Sequence, residues 1–210
     1  MSYNVIAALC DSSGSMQHMN PIETSQSLNK NIKESSTDNT IFIGAKFSDN
    51  YKLFANGIPC QNINITPEDI NPYGLTALYD SIQNICRDIK NYITARQEKP
   101  NSIIVIILTD GQENSSVNCT QIMAKDLISE CQKDDWRFIF LGANQNAILE
   151  GNNLGISMGA CCTFDASPEG CSNVMKSVSG AIQRSQTYDT PDIEFTQEER
   201  QQSLYPGETN

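Results

Sequence analysis

Two kinds of apolar pattern alternate along the chain. One is short and nearly continuous, as in Val5-Ile6-Ala7-Ala8-Leu9-Cys10 and Ile103-Ile104-Val105-Ile106-Ile107-Leu108, which is what parallel strands buried on both faces require. Residues 40–47, 137–141 and about 159–164 repeat it less strictly. After 40–47, Ser48-Asp49-Asn50 turns the chain into Tyr51-Lys52-Leu53-Phe54-Ala55. So short a polar connection implies a hairpin, with this third strand antiparallel and at an edge. The other pattern has helical spacing. Leu75, Leu78, Tyr79, Ile82, Ile85, Cys86 and Ile89 form its clearest stripe, with Thr76 in the first turn. A helix over 21–35 opens at Asn20-Pro21-Ile22-Glu23 and has a thin apolar face of Ile22, Leu28 and Ile32. Further helices are expected over 119–133, near 145–152, and from Ser167-Pro168-Glu169 onward, where Cys171, Val174, Met175, Val178 and Ile182 turn inward.

Strands alternating with helices, plus one hairpin, specify an α/β fold: a doubly wound, mostly parallel six-stranded sheet with helices on both faces. Right-handed crossovers favour the order 3-2-1-4-5-6 with strand 3 antiparallel at the edge. Strands 1 and 4 are then neighbours where the winding reverses, and a crevice opens at their carboxyl ends. The loop 56–74 is long enough to suggest function. Residues 1–189 read as one domain. Residues 190–210 lack periodicity and read as an acidic, flexible tail.

Composition narrows the partners. The net charge of −11, of which residues 189–210 carry −5, disfavours nucleic acid and anionic membranes. No apolar run has the length of a membrane span, and Met1-Ser2-Tyr3-Asn4 lacks the features of a signal peptide, so a cytoplasmic location is expected. Eight cysteines in such a chain are expected to remain thiols, and without a Cys-x-x-Cys pair they do not point to zinc.

The chemistry concentrates in three places. Asp11, Ser13 and Ser15 follow strand 1, Asp110 follows strand 4, and Thr76 stands at the start of the helix between strands 3 and 4. Three hydroxyls and two carboxylates, with no nitrogen or sulfur, suit a hard cation, Mg²⁺ before Mn²⁺ or Ca²⁺. The segments Asp11-Ser12-Ser13-Gly14-Ser15, Thr76 and Thr109-Asp110-Gly111 resemble the three loops of the metal-ion-dependent adhesion site of von Willebrand factor type A (vWA) domains. Gly74-Leu75-Thr76-Ala77-Leu78-Tyr79-Asp80-Ser81-Ile82 is similar to a segment of intracellular microbial members, as is Phe140-Leu141-Gly142-Ala143-Asn144-Gln145. The resemblance implies that Ser13, Ser15 and Thr76 coordinate directly and that Asp11 and Asp110 act through water. An open coordination position would then attract an Asp or Glu of a partner protein.

Two other readings stay open from sequence: a Mg²⁺-dependent phosphohydrolase or other hydrolase, and an accessory subunit of an ATP-driven machine. Against catalysis, the three loops contain no Lys or Arg, and His18 is the one histidine. No Gly-x-Ser-x-Gly elbow or phosphate-binding Gly-x-x-x-x-Gly-Lys loop occurs, so no catalytic residue is assigned. Around the cage, Glu113 is a candidate to bond a metal water, Asp80 to hold the loop, and Tyr73 with Met16 to form an apolar rim. A docked tail would bring Glu194, Glu198 or Glu199 into reach as an internal ligand.

Overall fold

The computed structural model describes residues 3–187 and 192–204. Six strands, β1 (Asn4–Asp11), β2 (Thr40–Phe47), β3 (Tyr51–Pro59), β4 (Ser102–Thr109), β5 (Trp136–Ala143) and β6 (Cys161–Phe164), form one sheet in the order β3-β2-β1-β4-β5-β6. Only the β2–β3 pair is antiparallel. The continuous apolar runs occupy its centre, where β1 pairs in parallel with both β2 and β4.

Strand alternation sorts these runs into two cores. Ile6, Ala8 and Cys10 join Ile104, Ile106 and Leu108 on one face, under α1 (Pro21–Glu34) and α5 (Pro168–Thr187). Val5, Ala7 and Leu9 join Ile103, Val105 and Ile107 on the other, under α2 (Leu78–Arg96) and α3 (Gln121–Lys133). A fourth helix, α4 (Ala147–Asn153), follows β5.

The thin face of α1 is resolved by small polar residues. Thr24, Ser25, Ser27 and Asn31 are buried beside Leu28 and Ile32, whereas Ile22 stays 55% exposed. Ser25 Oγ returns a bond to the Ile22 carbonyl and Asn31 Nδ2 to that of Ser27 as the helix packs on α5, whereas the buried Thr24 hydroxyl has no hydrogen-bond partner among the described residues. Helix α2 starts later than its stripe suggests. Leu75 is 54% exposed and precedes the N-cap, Ala77, so Thr76 lies in the loop rather than in the helix.

The expected tail divides. Residues 190, 191 and 205–210 lie outside the described residues, but 192–204 pack against the domain. Ile193 and Phe195 are buried in the α1–α5 core, and Gln197–Leu204 form α6. Arg184 grips Glu199 through two 2.7 Å hydrogen bonds. Arg200 donates to the carbonyls of Met158, Gly159 and Cys161. Two apolar anchors outside the helix, and a helix whose buried side chain is Ser203, leave little periodicity to read. None of the three tail acids takes part in the oxygen cage. Glu199 is held by Arg184, and Glu194 lies against Gly159, at the amino end of β6.

Candidate metal centre

Three loops meet beyond the carboxyl ends of β1 and β4. Asp11 ends β1 and is fully buried. One of its oxygens accepts from the Ser13 amide at 2.7 Å and the other from the Thr109 hydroxyl at 2.6 Å, which fixes the carboxylate from both sides. Ser12 faces away and bonds the Phe47 carbonyl. Ser13 Oγ lies 3.0 Å from Ser15 Oγ, and Ser15 donates to Asp110 at 2.6 Å.

Strand β3 runs on to Pro59, so the loop expected over 56–74 instead occupies residues 60–77, and it closes this arrangement from the side. The Gly14 amide donates to the Gly74 carbonyl at 2.9 Å, and the Tyr73 amide to that of Ser12 at 2.7 Å. Gly74 adopts φ +85°, a left-handed conformation that favours glycine, and a Cβ there would push against the Asp49 carboxylate, 2.1 Å away. Asp49 also accepts from the Leu75 amide, which leads into Thr76. A Cβ on Gly111 would meet Thr76 Oγ1 at 2.8 Å and Ser15 Oγ at 3.3 Å, so the two hydroxyls face the same small space. The structure thus brings Asp11, Ser13, Ser15, Thr76 and Asp110 together.

The charge of this cage is poorly compensated. Burial pushes the Asp11 carboxyl up to about 6, and the nearby Asp110 charge adds to the rise, although hydrogen bonds from Thr109 and Ser13 oppose it. Asp110 is also raised, chiefly by burial. Two carboxyls raised together beside hydroxyls are the setting a cation relieves. Oxygen donors alone favour a hard divalent ion, so these residues fit the group the motif implies.

Neighbouring residues divide between the expected roles and others. Tyr73 is 78% exposed and stands at the rim, whereas Met16 is buried and does not. Glu113 points its carboxylate at four donors, the amides of Tyr79, Ser115 and Ser116 and the Ser116 hydroxyl, rather than at the cage. Thr109, the partner of Asp11, went unassigned in the sequence although it sits inside the Thr109-Asp110-Gly111 segment. Behind it, Gln145 donates to the Thr109 carbonyl at 3.4 Å, which places the Phe140–Gln145 segment against the third loop.

No family model and no curated protein matches the sequence. Solved structures do match. A byssal matrix protein of the mussel, PTMP1, solved with zinc in its MIDAS motif, superposes with a TM-score of 0.60 at 22% identity, over 85% of this chain and 45% of its own. The von Willebrand factor type A protein of Catenulispora acidiphila gives 0.58 at 16%, over 86% and 43%. The vWF domain of the pilus tip protein Mfa5 from Porphyromonas gingivalis gives 0.61 at 9%, over 87% and 96%. The fold is that of a vWA domain. The chain spans less than half the length of the mussel and Catenulispora chains. In this vWA fold the oxygen cage lies at the carboxyl ends of β1 and β4, the crevice expected where the sheet's winding reverses.

Proposed function

We propose that the chain is a non-catalytic protein-interaction module in which Asp11, Ser13, Ser15, Thr76 and Asp110 form a complete metal-ion-dependent adhesion site for Mg²⁺, with Mn²⁺ or Ca²⁺ as substitutes. The observation that carries this reading is the convergence of three hydroxyls and two raised carboxyls from three loops on one space. A bound dication would supply Lewis acidity toward an anionic oxygen from outside. The chain's own residues do the rest. Thr109 and the Ser13 amide hold Asp11 in orientation, and Ser15 orients Asp110. The partner is a protein presenting Asp or Glu.

Catalysis is disfavoured by the same loops, which offer no Lys or Arg to stabilise a leaving group. Eight buried free thiols suit a reducing compartment, and we place the protein in the cytoplasm, in keeping with its resemblance to intracellular microbial members. Among the described residues, no helix is long and apolar enough to cross a membrane.

Calorimetric titration with Mg²⁺ and Zn²⁺ of the wild type and Asp11→Ala tests the metal, and a pull-down in Mg²⁺ eluted with EDTA tests the partner. One Mg²⁺ per wild-type chain and none in the variant is the expected result. Equal binding by both proteins would remove this site from the explanation, and a partner that resists EDTA would remove the carboxylate bridge.

A further inference from the structure

Helix α2 begins without a cap of its own. Its N-cap is Ala77, which offers no side-chain acceptor, so the first amides of the helix need partners from elsewhere. The loop leaving β4 provides them. Tyr79 N–H donates to Glu113 Oε2 at 3.0 Å, and Asp80 N–H donates to Ser116 Oγ at 3.1 Å. The helix returns the interaction, because the Asp80 carboxylate accepts from the amides of Val117 at 3.0 Å, Asn118 at 2.9 Å and Cys119 at 2.6 Å. Glu113 braces the loop from within, accepting from Ser115 N at 2.8 Å and from the amide and hydroxyl of Ser116, each at 2.7 Å. Closer to the cage, the Thr76 amide donates to Asn114 Oδ1 at 2.9 Å, and the Asn114 amide donates to the Thr76 carbonyl at 3.0 Å.

These bonds join two segments that reach the cage separately. Thr76 lies just before α2, and Asp110 lies just before Glu113. The Asp80 carboxylate is engaged by amide donors alone and that of Glu113 by amides and the Ser116 hydroxyl, and no hydrogen bond links either to the five cage side chains among the described residues. We propose that Asp80 and Glu113 are positioning residues, a reciprocal clamp that fixes the spacing between Thr76 and Asp110. The inference rests on the metal-site reading above and adds to it a reason for ion choice. Mg²⁺ demands a small, nearly ideal octahedron, whereas Ca²⁺ accepts a looser and larger set of oxygens. A clamped cage favours the first, and a loosened one gives up that preference. Burial works against a charge on Asp80, yet the amides of Val117, Cys119 and Asn118 outweigh it and hold the carboxyl below its ordinary range. Asp80 is therefore charged at neutral pH.

Asp80→Asn keeps the size of the side chain but replaces one of its two acceptor oxygens with a donor, and Glu113→Gln does the same across the loop. Mg²⁺ and Ca²⁺ affinities are measured by calorimetry on each variant and the wild type, beside thermal melting in EDTA. Mg²⁺ affinity is expected to fall, by less than the roughly tenfold that losing a group bonded directly to a ligand costs, with a smaller fall for Ca²⁺, so that the Mg²⁺-to-Ca²⁺ ratio narrows. Should either variant fail to fold, Ser116→Ala removes only the shared hydroxyl and should shift the ratio in the same direction. An unchanged ratio, with or without a lower melting temperature, reduces Asp80 and Glu113 to ordinary fold stabilisers and overturns the proposal. A wild type that binds neither ion is a different result, because it removes the metal site itself and the clamp's role with it.

Discussion

The Thr109 hydroxyl donates a 2.6 Å hydrogen bond to the Asp11 carboxylate across 98 residues of sequence. It ties the end of β4 to the end of β1 and orients one of the two acids of the cage. Thr109→Val keeps the side-chain shape and leaves a buried carboxylate oxygen short of a donor, at a cost of about 1–3 kcal/mol. Mg²⁺ affinity should fall by about tenfold on calorimetric titration. Affinity equal to wild type would show that the Ser13 amide alone orients Asp11.

Gly111→Ala tests the space rather than the ligands. The added methyl would sit 2.8 Å from Thr76 Oγ1 and 3.3 Å from Ser15 Oγ, inside the room shared by the two hydroxyls. Its crowding should weaken Mg²⁺ binding strongly while circular dichroism in EDTA stays that of a folded domain. Full Mg²⁺ affinity in this variant would mean that the ion does not use that space.

Thr76→Ala and Asp11→Ala separate metal from partner. Asp11 is held by the Ser13 amide of its own loop and by Thr109, whereas Thr76 comes from a separate loop. Asp11→Ala should abolish both Mg²⁺ binding and partner capture. Thr76→Ala should weaken capture more than metal, because its loop borders the position an outside carboxylate would enter. Wild-type capture by Thr76→Ala in Mg²⁺ would end the adhesion-site mechanism and revive the hydrolase reading.

Phe195→Ala addresses the docked segment. Phe195 is 6% exposed and its amide donates to the Gly159 carbonyl. Losing such a ring costs about 3 kcal/mol, equivalent to roughly 6–12 °C of melting temperature at this chain length. A shift below about 2 °C would mean that 192–204 detaches before the domain unfolds.

The thiols carry a pH signature. Burial pushes Cys10, Cys60, Cys161 and Cys171 up to about 12. In the unfolded chain these thiols ionise first, so the folded state binds more protons above that point. Their contribution to stability is complete below about pH 8.5 and is lost progressively as pH rises toward the folded values. The denaturant midpoint should therefore fall between pH 8 and pH 10, and a disulfide reagent at pH 8 should label the native protein slowly but label all eight cysteines in denaturant. Rapid native labelling would contradict the burial of these side chains.

How far the sequence disclosed this depends on the kind of force involved. Val5–Cys10 and Ile103–Leu108 announced the centre of the sheet because strands buried on both faces leave continuous apolar runs. Asp11, Ser13, Ser15, Thr76 and Asp110 could be grouped because topology alone brings the ends of β1 and β4 together. Leu75 misled the placement of α2, since its hydrophobicity fits the stripe although its side chain faces solvent. The docking of 192–204 was hidden because much of it is polar, through Arg184, Glu199 and Arg200. Asp80 was legible as a residue that holds the loop, and it does so through the amides of residues 117–119. Glu113 was expected to bond a metal water and instead accepts mainly from backbone amides, which every residue but proline possesses and which leave no mark in the sequence.

The contacts of Arg200 reach beyond holding α6. By occupying the carbonyl of Cys161 at the start of β6, and with Asp165 N–H already donating to the Ser203 carbonyl just past its end, the chain obstructs that margin of the sheet against a further strand. The opposite margin is β3, whose pairing shifts register twice and which contains Gly57 at φ +75° and Pro59. Growth of the sheet by self-association is thus opposed at both sides by different means: a guanidinium that fills the acceptor at one, and an irregular backbone that offers no straight template at the other.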